Sequence, residues 1–187
     1  FRTEYLFMMH PSIPTEEEQT ESYQAIVAAA PKGHVTIRTL DLGGDKILPY
    51  FPAGREANPF LGFRSIRRAL AHPEFFKHQV RAILRAGTTG RVRILLPMVT
   101  TIEEIEQARS LIDEARDELD REGLGYSNDV PLGIMVEVPA AAIAIDTLLD
   151  AVDFVSIGTN DLVQYLMAAD RDNPNVAYLC DPLAPSV

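Results

Sequence analysis

The chain alternates between short apolar runs and longer segments in which apolar residues recur every three or four positions. Four runs, 35–40, 92–98, 132–138 and 154–158, are nearly continuously apolar, as is typical of strands buried on both faces. The segment after Thr101 has helical periodicity, with apolar residues at Ile102, Ile105, Ala108, Leu111, Ile112, Ala115 and Leu119. Strands that alternate with helices predict right-handed crossovers and a parallel sheet.

Capping signals mark where the helices begin. Thr15 and Thr101 are each followed by a Glu three residues later, which is the capping-box signature of a helix start. Pro73 suits the first turn of a helix and therefore separates two helical segments. The predicted helices cover 15–30, 64–71, 73–86, 101–123, 140–150 and 161–169. Residues 41–62 are rich in Gly and Pro and predict a long loop, a kind of segment that is often functional.

The number of strands bounds the fold. No linker interrupts the alternation, so we predict one α/β domain over residues 1–187. Four strands are half the number in a (β/α)8 TIM-type barrel, which typically needs about 250 residues. Either a smaller open sheet or an incomplete barrel fits this pattern. The chain begins with Phe1 and ends in a predicted loop at Val187, so we expect a fragment of a longer protein.

Composition narrows the class of protein further. With 47% hydrophobic and 24% charged residues the chain is ordinary for a globular domain. Its formal charge of −10 argues against nucleic acid as a partner, although a few Arg residues in a cleft can still bind a small anion. A single Cys excludes an internal disulfide framework and fits a reducing compartment. Without an 18-residue apolar run or a signal pattern, the sequence predicts a cytoplasmic protein with no membrane insertion.

Two carboxylates follow predicted strands. Glu137 ends the apolar run 132–138, and Asp161 follows the run 154–158 after a short polar turn. Active sites of α/β barrels are built at the carboxyl ends of the strands, and Mg²⁺ often takes one or two carboxylates plus substrate oxygens. We therefore predict Glu137 and Asp161 as metal ligands. The alternative is that each acid caps a helix or lies in its first turn, where the helix dipole favours negative charge.

Two arginines are candidates for binding an anion. Arg38 lies inside the predicted strand 35–40, where a buried guanidinium is costly unless it meets an anion. The alternative is a structural ion pair with Asp41 or Asp45. Arg171 follows the last predicted helix. The alternative to anion binding there is that Arg171 is a solvated arginine in a loop.

Seven segments of the chain carry a family resemblance. They are 1–8, 14–19, 38–46, 58–64, 96–98, 133–139 and 156–162. Examples are Gly133-Ile-Met-Val-Glu-Val-Pro139 and Ser156-Ile-Gly-Thr-Asn-Asp-Leu162. In this order they resemble the C-terminal phosphoenolpyruvate-binding domain of Enzyme I, the phosphoenolpyruvate-protein phosphotransferase of the bacterial phosphotransferase system. The resemblance covers essentially the whole chain.

The resemblance implies a (β/α)8 barrel that binds phosphoenolpyruvate and Mg²⁺. The phosphoryl group would pass to a histidine on a separate N-terminal domain and on to a phosphocarrier protein, with a homodimer formed through the barrel. The resemblance places Arg2, Arg38 and Arg171 at the phosphate and its neighbouring charge. It places Asn160 and Asp161 against the substrate, and Glu137 with Asp161 on the metal. Arg64 and Lys46 match family positions near the pocket.

One expected part of the family pattern is missing from the sequence. The family carries a proton-donating Cys in a Gly-rich segment downstream, and Cys180 is not that residue because it precedes the closing Pro-rich segment. We therefore expect a barrel without the start of its first strand and without its last strands, with no catalytic residue in this chain and no activity on its own.

Two alternative functions stay open. A pyruvate phosphate dikinase or phosphoenolpyruvate synthase shares the barrel and the carboxylates, but the segments 1–8 and 15–19 look like Enzyme I. The other alternative is a non-catalytic module that senses phosphoenolpyruvate, against which the intact Arg2, Arg38, Glu137 and Asp161 count. The sequence leaves open whether the protein would serve sugar transport or the nitrogen branch of the system.

Overall fold

Four strands form one parallel sheet whose spatial order follows the order of the chain. The computed structural model describes residues 1–43 and 56–187. The strands are β1 (Val35–Arg38), β2 (Val92–Leu96), β3 (Leu132–Val136) and β4 (Phe154–Ile157). Each strand lies within its predicted apolar run and pairs in parallel with the next. The predicted α/β class is confirmed, and in the described residues the sheet is open, as expected of an incomplete barrel.

The beginning of the chain adds one bridge to the free side of β1. Arg2 forms an isolated parallel bridge with Arg38, and the Arg38 N–H donates to the carbonyl oxygen of Phe1 at 3.0 Å. The bridge lies at the last residue of β1. Arg2 therefore sits at the same edge of the sheet as the carboxyl ends of the strands.

The described residues form eight α-helices, two more than the six predicted. They are α1 (Glu4–Met9), α2 (Glu16–Ala28), α3 (Ile66–Ala71), α4 (Pro73–Ala86), α5 (Ile102–Glu122), α6 (Pro139–Ile143), α7 (Ile145–Leu149) and α8 (Thr159–Leu166). A one-turn 3₁₀ helix covers Pro59–Leu61 and another covers Ala177–Leu179. Both capping boxes are present, at Thr15 and at Thr101.

Helix α1 was not expected, and the predicted helix 140–150 is divided. Phe7 of α1 is fully buried and its ring packs against Phe75 at a centroid distance of 5.7 Å, so a tertiary contact stabilises a helix too short to persist alone. The single helix 140–150 is wrong, because the chain leaves helical geometry at Ala144, where ψ is 15°. Two short helices result.

The main core lies between one face of the sheet and the helices. Ile37, Ile94, Leu96 and Ile134 are at most 1% exposed, and they pack with apolar residues of α4 and α5. Successive strand residues point to opposite sides, and the other face carries both polar and apolar side chains, among them Arg38, Leu95 and Met135. The prediction of burial on both faces is wrong for β4, the last strand in the sheet order, where Ile157 is 67% exposed. In the described part of the chain, no helix combines the length and the apolar character needed to cross a membrane.

Candidate active site at the carboxyl ends of the strands

One cavity of about 210 Å³ opens at the carboxyl ends of the strands. All six predicted site residues line it, and Arg64 and Asp41 line it as well. The predicted six are Arg2, Arg38, Glu137, Asn160, Asp161 and Arg171. The strand-end rule had pointed to Glu137 and Asp161, and the family resemblance had added Arg2 and Asn160. The structure brings all six side chains to one cavity, while their roles stay predictions. Lys46 and Asp45 lie outside the described residues.

Glu137 forms the floor of the cavity. It directly follows β3 and is only 2% exposed. Its Oε1 accepts the N–H of Met98 at 2.7 Å, and Met98 adopts a left-handed φ of 58° just beyond β2. A side chain at position 158 would lie 2.6 Å from Glu137 Oε2, so Gly158 is required for the close approach of β4. Glu137 lines the cavity and does not cap a helix, since Val138 is the residue that caps α6.

Burial raises the pKa of Glu137 to about 7. The N–H of Met98 opposes this rise in pKa, whereas the nearby carboxylates of Asp41 and Asp161 add to it. A buried carboxyl group beside two other carboxylates is stabilised by a proton or by a metal cation.

Asp161 lies in the first turn of α8 and accepts from two guanidinium groups. Its Oδ2 accepts from Arg64 at 3.3 Å and its Oδ1 from Arg171 at 3.2 Å. The first-turn position agrees with the helix-dipole alternative. Asp161 does more than favour the helix dipole, because each of its oxygens accepts from an arginine that lines the cavity. Arg171 is thus an ion-pair partner and not a solvated loop arginine.

Arg38 is 5% exposed and pairs with two acids. Its Nη2 lies 2.5 Å from Glu4 Oε1 and 3.6 Å from Asp41 Oδ2. The structural ion pair with Asp41 was foreseen, but the stronger contact with Glu4 was missed because nothing in the sequence predicted α1. The Arg38 Nε is buried and has no hydrogen-bond partner within the described ranges. Within those ranges, the two acids thus leave one N–H donor of this guanidinium unused.

Arg64 is a second buried guanidinium, only 3% exposed. Its Nη2 donates to both oxygens of Asp41 at 3.1 Å, and Ser65 also donates to that carboxylate. Burial opposes its charged form, but the carboxylates of Asp41 and Asp161 outweigh burial and raise the pKa of Arg64. A Cβ at Gly43, where φ is 125°, would lie 2.2 Å from the Arg64 Cβ. Like that of Arg38, the buried Nε of Arg64 has no partner in residues 1–43 and 56–187.

Charge is nearly balanced around the cavity. Arg38 and Arg64 are buried, whereas Arg2 is exposed and Arg171 is 33% exposed at the rim. Among the residues that the structure describes, the acids that face or pair with these four guanidinium groups are also four, namely Glu4, Asp41, Glu137 and Asp161. A multiply charged anion would therefore find donors but little net positive charge. A cation that enters with the anion would correct this balance.

The carboxylates fit a hard divalent cation that is shared with a substrate. Among the described residues no group of three or more side chains is arranged as a metal site. Mg²⁺ needs fewer protein ligands than that, because it usually keeps waters or substrate oxygens. Glu137 and Asp161 line one cavity and supply the oxygen ligands that Mg²⁺ prefers. Asp41, missed as a site residue, lies three residues beyond the end of β1, so the same strand-end rule points to it.

Similarity to known proteins agrees with this site. The family described as "PEP-utilising enzyme, PEP-binding domain" matches residues 1–187. The phosphoenolpyruvate-protein phosphotransferase of Mycoplasma capricolum subsp. capricolum is 51% identical over 187 residues, which are 100% of this chain and 32% of that protein. The Listeria monocytogenes protein of the same name is 49% identical over 100% of this chain and 33% of its own length.

A solved structure of a citrate lyase from Burkholderia xenovorans LB400 shares 18% identity with a TM-score of 0.43, over 94% of this chain and 58% of that one. This likeness is too weak to carry an argument. The chain spans about a third of the length of the curated relatives it matches. With a family match along its whole length, the chain belongs to the phosphoenolpyruvate-utilising enzymes and forms one of their phosphoenolpyruvate-binding domains.

Proposed function

We propose that this domain belongs to a phosphoenolpyruvate-protein phosphotransferase. It binds phosphoenolpyruvate together with Mg²⁺, and the phosphoryl group passes to a histidine on a separate N-terminal domain and then to a phosphocarrier protein. A homodimer in the cytoplasm, which serves either sugar transport or the nitrogen branch of the phosphotransferase system, is part of the same proposal. The relatives named for this activity support it, since they are about half identical to the chain over its full length.

The observation that carries the proposal is the pairing of donors and acids in one cavity. Arg38 and Arg64 each keep a buried Nε without a partner in the described residues, and both line the cavity that holds Glu137 and Asp161. Phosphoenolpyruvate carries a phosphate and a carboxylate close together, and planar guanidinium groups bind both kinds of anion. The rim residues Arg2, Asn160 and Arg171 add donors that are accessible from solvent.

The chain's own part in the reaction is binding and orientation. Glu137 and Asp161 would hold Mg²⁺, which supplies Lewis-acid stabilisation of the negative charge that develops on the substrate. The guanidinium groups of Arg38 and Arg64 would fix the anion against the buried floor and offset its charge. The bond from phosphorus to the enol oxygen breaks as the bond to the histidine nitrogen forms. We assign no proton donor for the enolate among the described residues.

Phosphoryl transfer in the complete protein tests this proposal. We expect radiolabel from [³²P]phosphoenolpyruvate to reach a histidine in the presence of Mg²⁺. The variant Glu137→Gln should reduce the rate by at least about 100-fold, because it removes a charged oxygen ligand. As the matched control, Glu106→Gln changes an exposed residue of α5 and should transfer at the normal rate. Label on no histidine, or an unaffected Glu137→Gln variant, would refute the proposal.

A further inference from the structure

An aromatic ring lies behind two of the cavity's arginines. Phe60 belongs to the 3₁₀ helix Pro59–Leu61, in the loop before α3. The centroid of its ring is 5.7 Å from the Cζ atom of Arg64 and 5.9 Å from that of Arg171. The ring does not line the cavity itself. One neutral side chain is therefore shared by two guanidinium groups that both donate to Asp161.

Tyr165 of α8 fixes the backbone of Phe60. Its hydroxyl donates to the Phe60 carbonyl oxygen at 2.5 Å and accepts a longer bond from Arg64 Nη1 at 3.4 Å. Tyr165 thus joins the loop to the helix that carries Asp161. The ring, the hydroxyl and the two guanidinium groups form one connected cluster, which we name the Phe60 cluster (Phe60, Arg64, Tyr165 and Arg171).

A ring has an advantage over an acid in this position. Two guanidinium groups that face one cavity repel each other, and a further carboxylate would hold them only by neutralising charge that an incoming anion needs. The face of an aromatic ring attracts cations without removing their charge or occupying their N–H donors. The unpartnered Nε of Arg64 fits this arrangement.

We propose that Phe60 is a positioning residue for phosphoenolpyruvate binding, and that Tyr165 holds it in place. Phe60 orients Arg64 and Arg171 toward the cavity before the anion enters. This inference rests on the proposed function for its ligand, whereas the arrangement of the two arginines can be tested without any ligand.

The first measurement is made without substrate, on the arginine side chains of the complete protein. A nearby ring shifts the ¹⁵N and ¹H resonances of an Arg Nε–H group. We expect the Nε–H signals of Arg64 and Arg171 to move in Phe60→Leu, which keeps apolar bulk but removes the ring, and to stay near their normal positions in Phe60→Tyr. Unchanged signals in Phe60→Leu would overturn the inference.

The second measurement is phosphoenolpyruvate affinity by calorimetry with Mg²⁺ present. Phe60→Leu should weaken phosphoenolpyruvate binding about five- to tenfold, because it removes two cation–π contacts that are near the outer limit of their range. Phe60→Tyr should bind normally, and Tyr165→Phe should show a smaller loss with an unchanged melting temperature. Equal losses in Phe60→Leu and Phe60→Tyr would overturn a role for the ring.

Phe63 offers a matched control. Its ring lies 5.0 Å from Arg68 Cζ, so Phe63→Leu removes a similar contact at a place that does not line the cavity. This variant should bind phosphoenolpyruvate normally, and a loss equal to that of Phe60→Leu would contradict the inference. If the unmodified protein bound no phosphoenolpyruvate, the proposed function would fail, and the arginine resonances alone would decide the role of Phe60.

Discussion

At the scale of single residues, burial decides which charges are available for chemistry. Arg38, Arg64 and Glu137 are each at most 5% exposed, and all three line the same cavity. The sequence predicted Glu137 at the end of an apolar run and Arg38 inside one, because a charged residue is exceptional in such a run, whereas Arg64 was matched only through the family resemblance. The ion pair of Arg38 with Glu4 could not be predicted, since only the folded chain brings these two residues together.

Arg38 is both an ion-pair partner and a candidate ligand, and one substitution separates these roles. In Arg38→Lys the positive charge toward Glu4 is kept, but the planar fork that suits a phosphate is lost. We expect phosphoenolpyruvate affinity to fall by about 1.5–3 kcal/mol, the usual range for a hydrogen bond to a charged group. The melting temperature should change little. Normal affinity with a large drop in melting temperature would show that Arg38 is only structural.

At the scale of elements, the helix and strand periods predicted where most elements lie. The capping boxes at Thr15 and Thr101 placed the starts of α2 and α5, because the signal is local. Helix α1 and the break at Ala144 escaped prediction because tertiary contacts and local backbone geometry, not sequence pattern, determine them. Sequence pattern also could not predict the hydrogen bonds that connect the segment after β1 to α4 and α2.

A chain of buried hydrogen bonds makes this connection. The Leu40 N–H donates to Gln79 Oε1 at 2.9 Å, and Gln79 Nε2 donates to the hydroxyl of Tyr23 at 3.2 Å. Leu in place of Gln79 would leave a buried N–H without its acceptor, so we expect the free energy of unfolding to fall by about 1–3 kcal/mol in urea titration. Gln107→Leu, at an exposed position of α5, should change it by less than about 0.5 kcal/mol. Equal effects of the two variants would contradict this role for Gln79.

An ion-pair network joins α4 to α5 and makes stability depend on acid pH. Lys77 and Arg81 both pair with Glu118, and the hydrogen bond from Lys77 is the main cause that lowers the pKa of Glu118 from its ordinary value of 4.5. A lowered folded-state pKa means that this stabilisation is present above pH 4.5 and is lost as the pH falls below it.

Glu118→Gln tests that pH dependence. The variant should be less stable than the unmodified protein at pH 7, and the difference should shrink as the pH falls from about 5 to 3. Denaturant midpoints measured across this range give the comparison, with exposed Glu106→Gln as the control on the same helix. A difference that stayed constant or grew toward low pH would show that Glu118 acts through packing and not through its charge.

At the scale of the whole molecule, the order of the strands builds the site. Each of β1, β3 and β4 delivers an acid from its carboxyl end or from the turn beyond it, namely Asp41, Glu137 and Asp161. Parallel strands bring these ends to one edge of the sheet, which is why chain order alone could predict the convergence. The sequence could not give the near balance of charge around the cavity, because that depends on which side chains are buried together.

That balance leads to the central claim, that substrate and metal bind together. Calorimetric titration of phosphoenolpyruvate into the complete protein, with and without Mg²⁺, tests it most directly. We predict strong binding only with Mg²⁺, and loss of the Mg²⁺-dependent part in both Glu137→Gln and Asp161→Asn, while Glu106→Gln behaves as the unmodified protein. Binding with the same Mg²⁺ dependence in Glu137→Gln and Asp161→Asn would contradict the account.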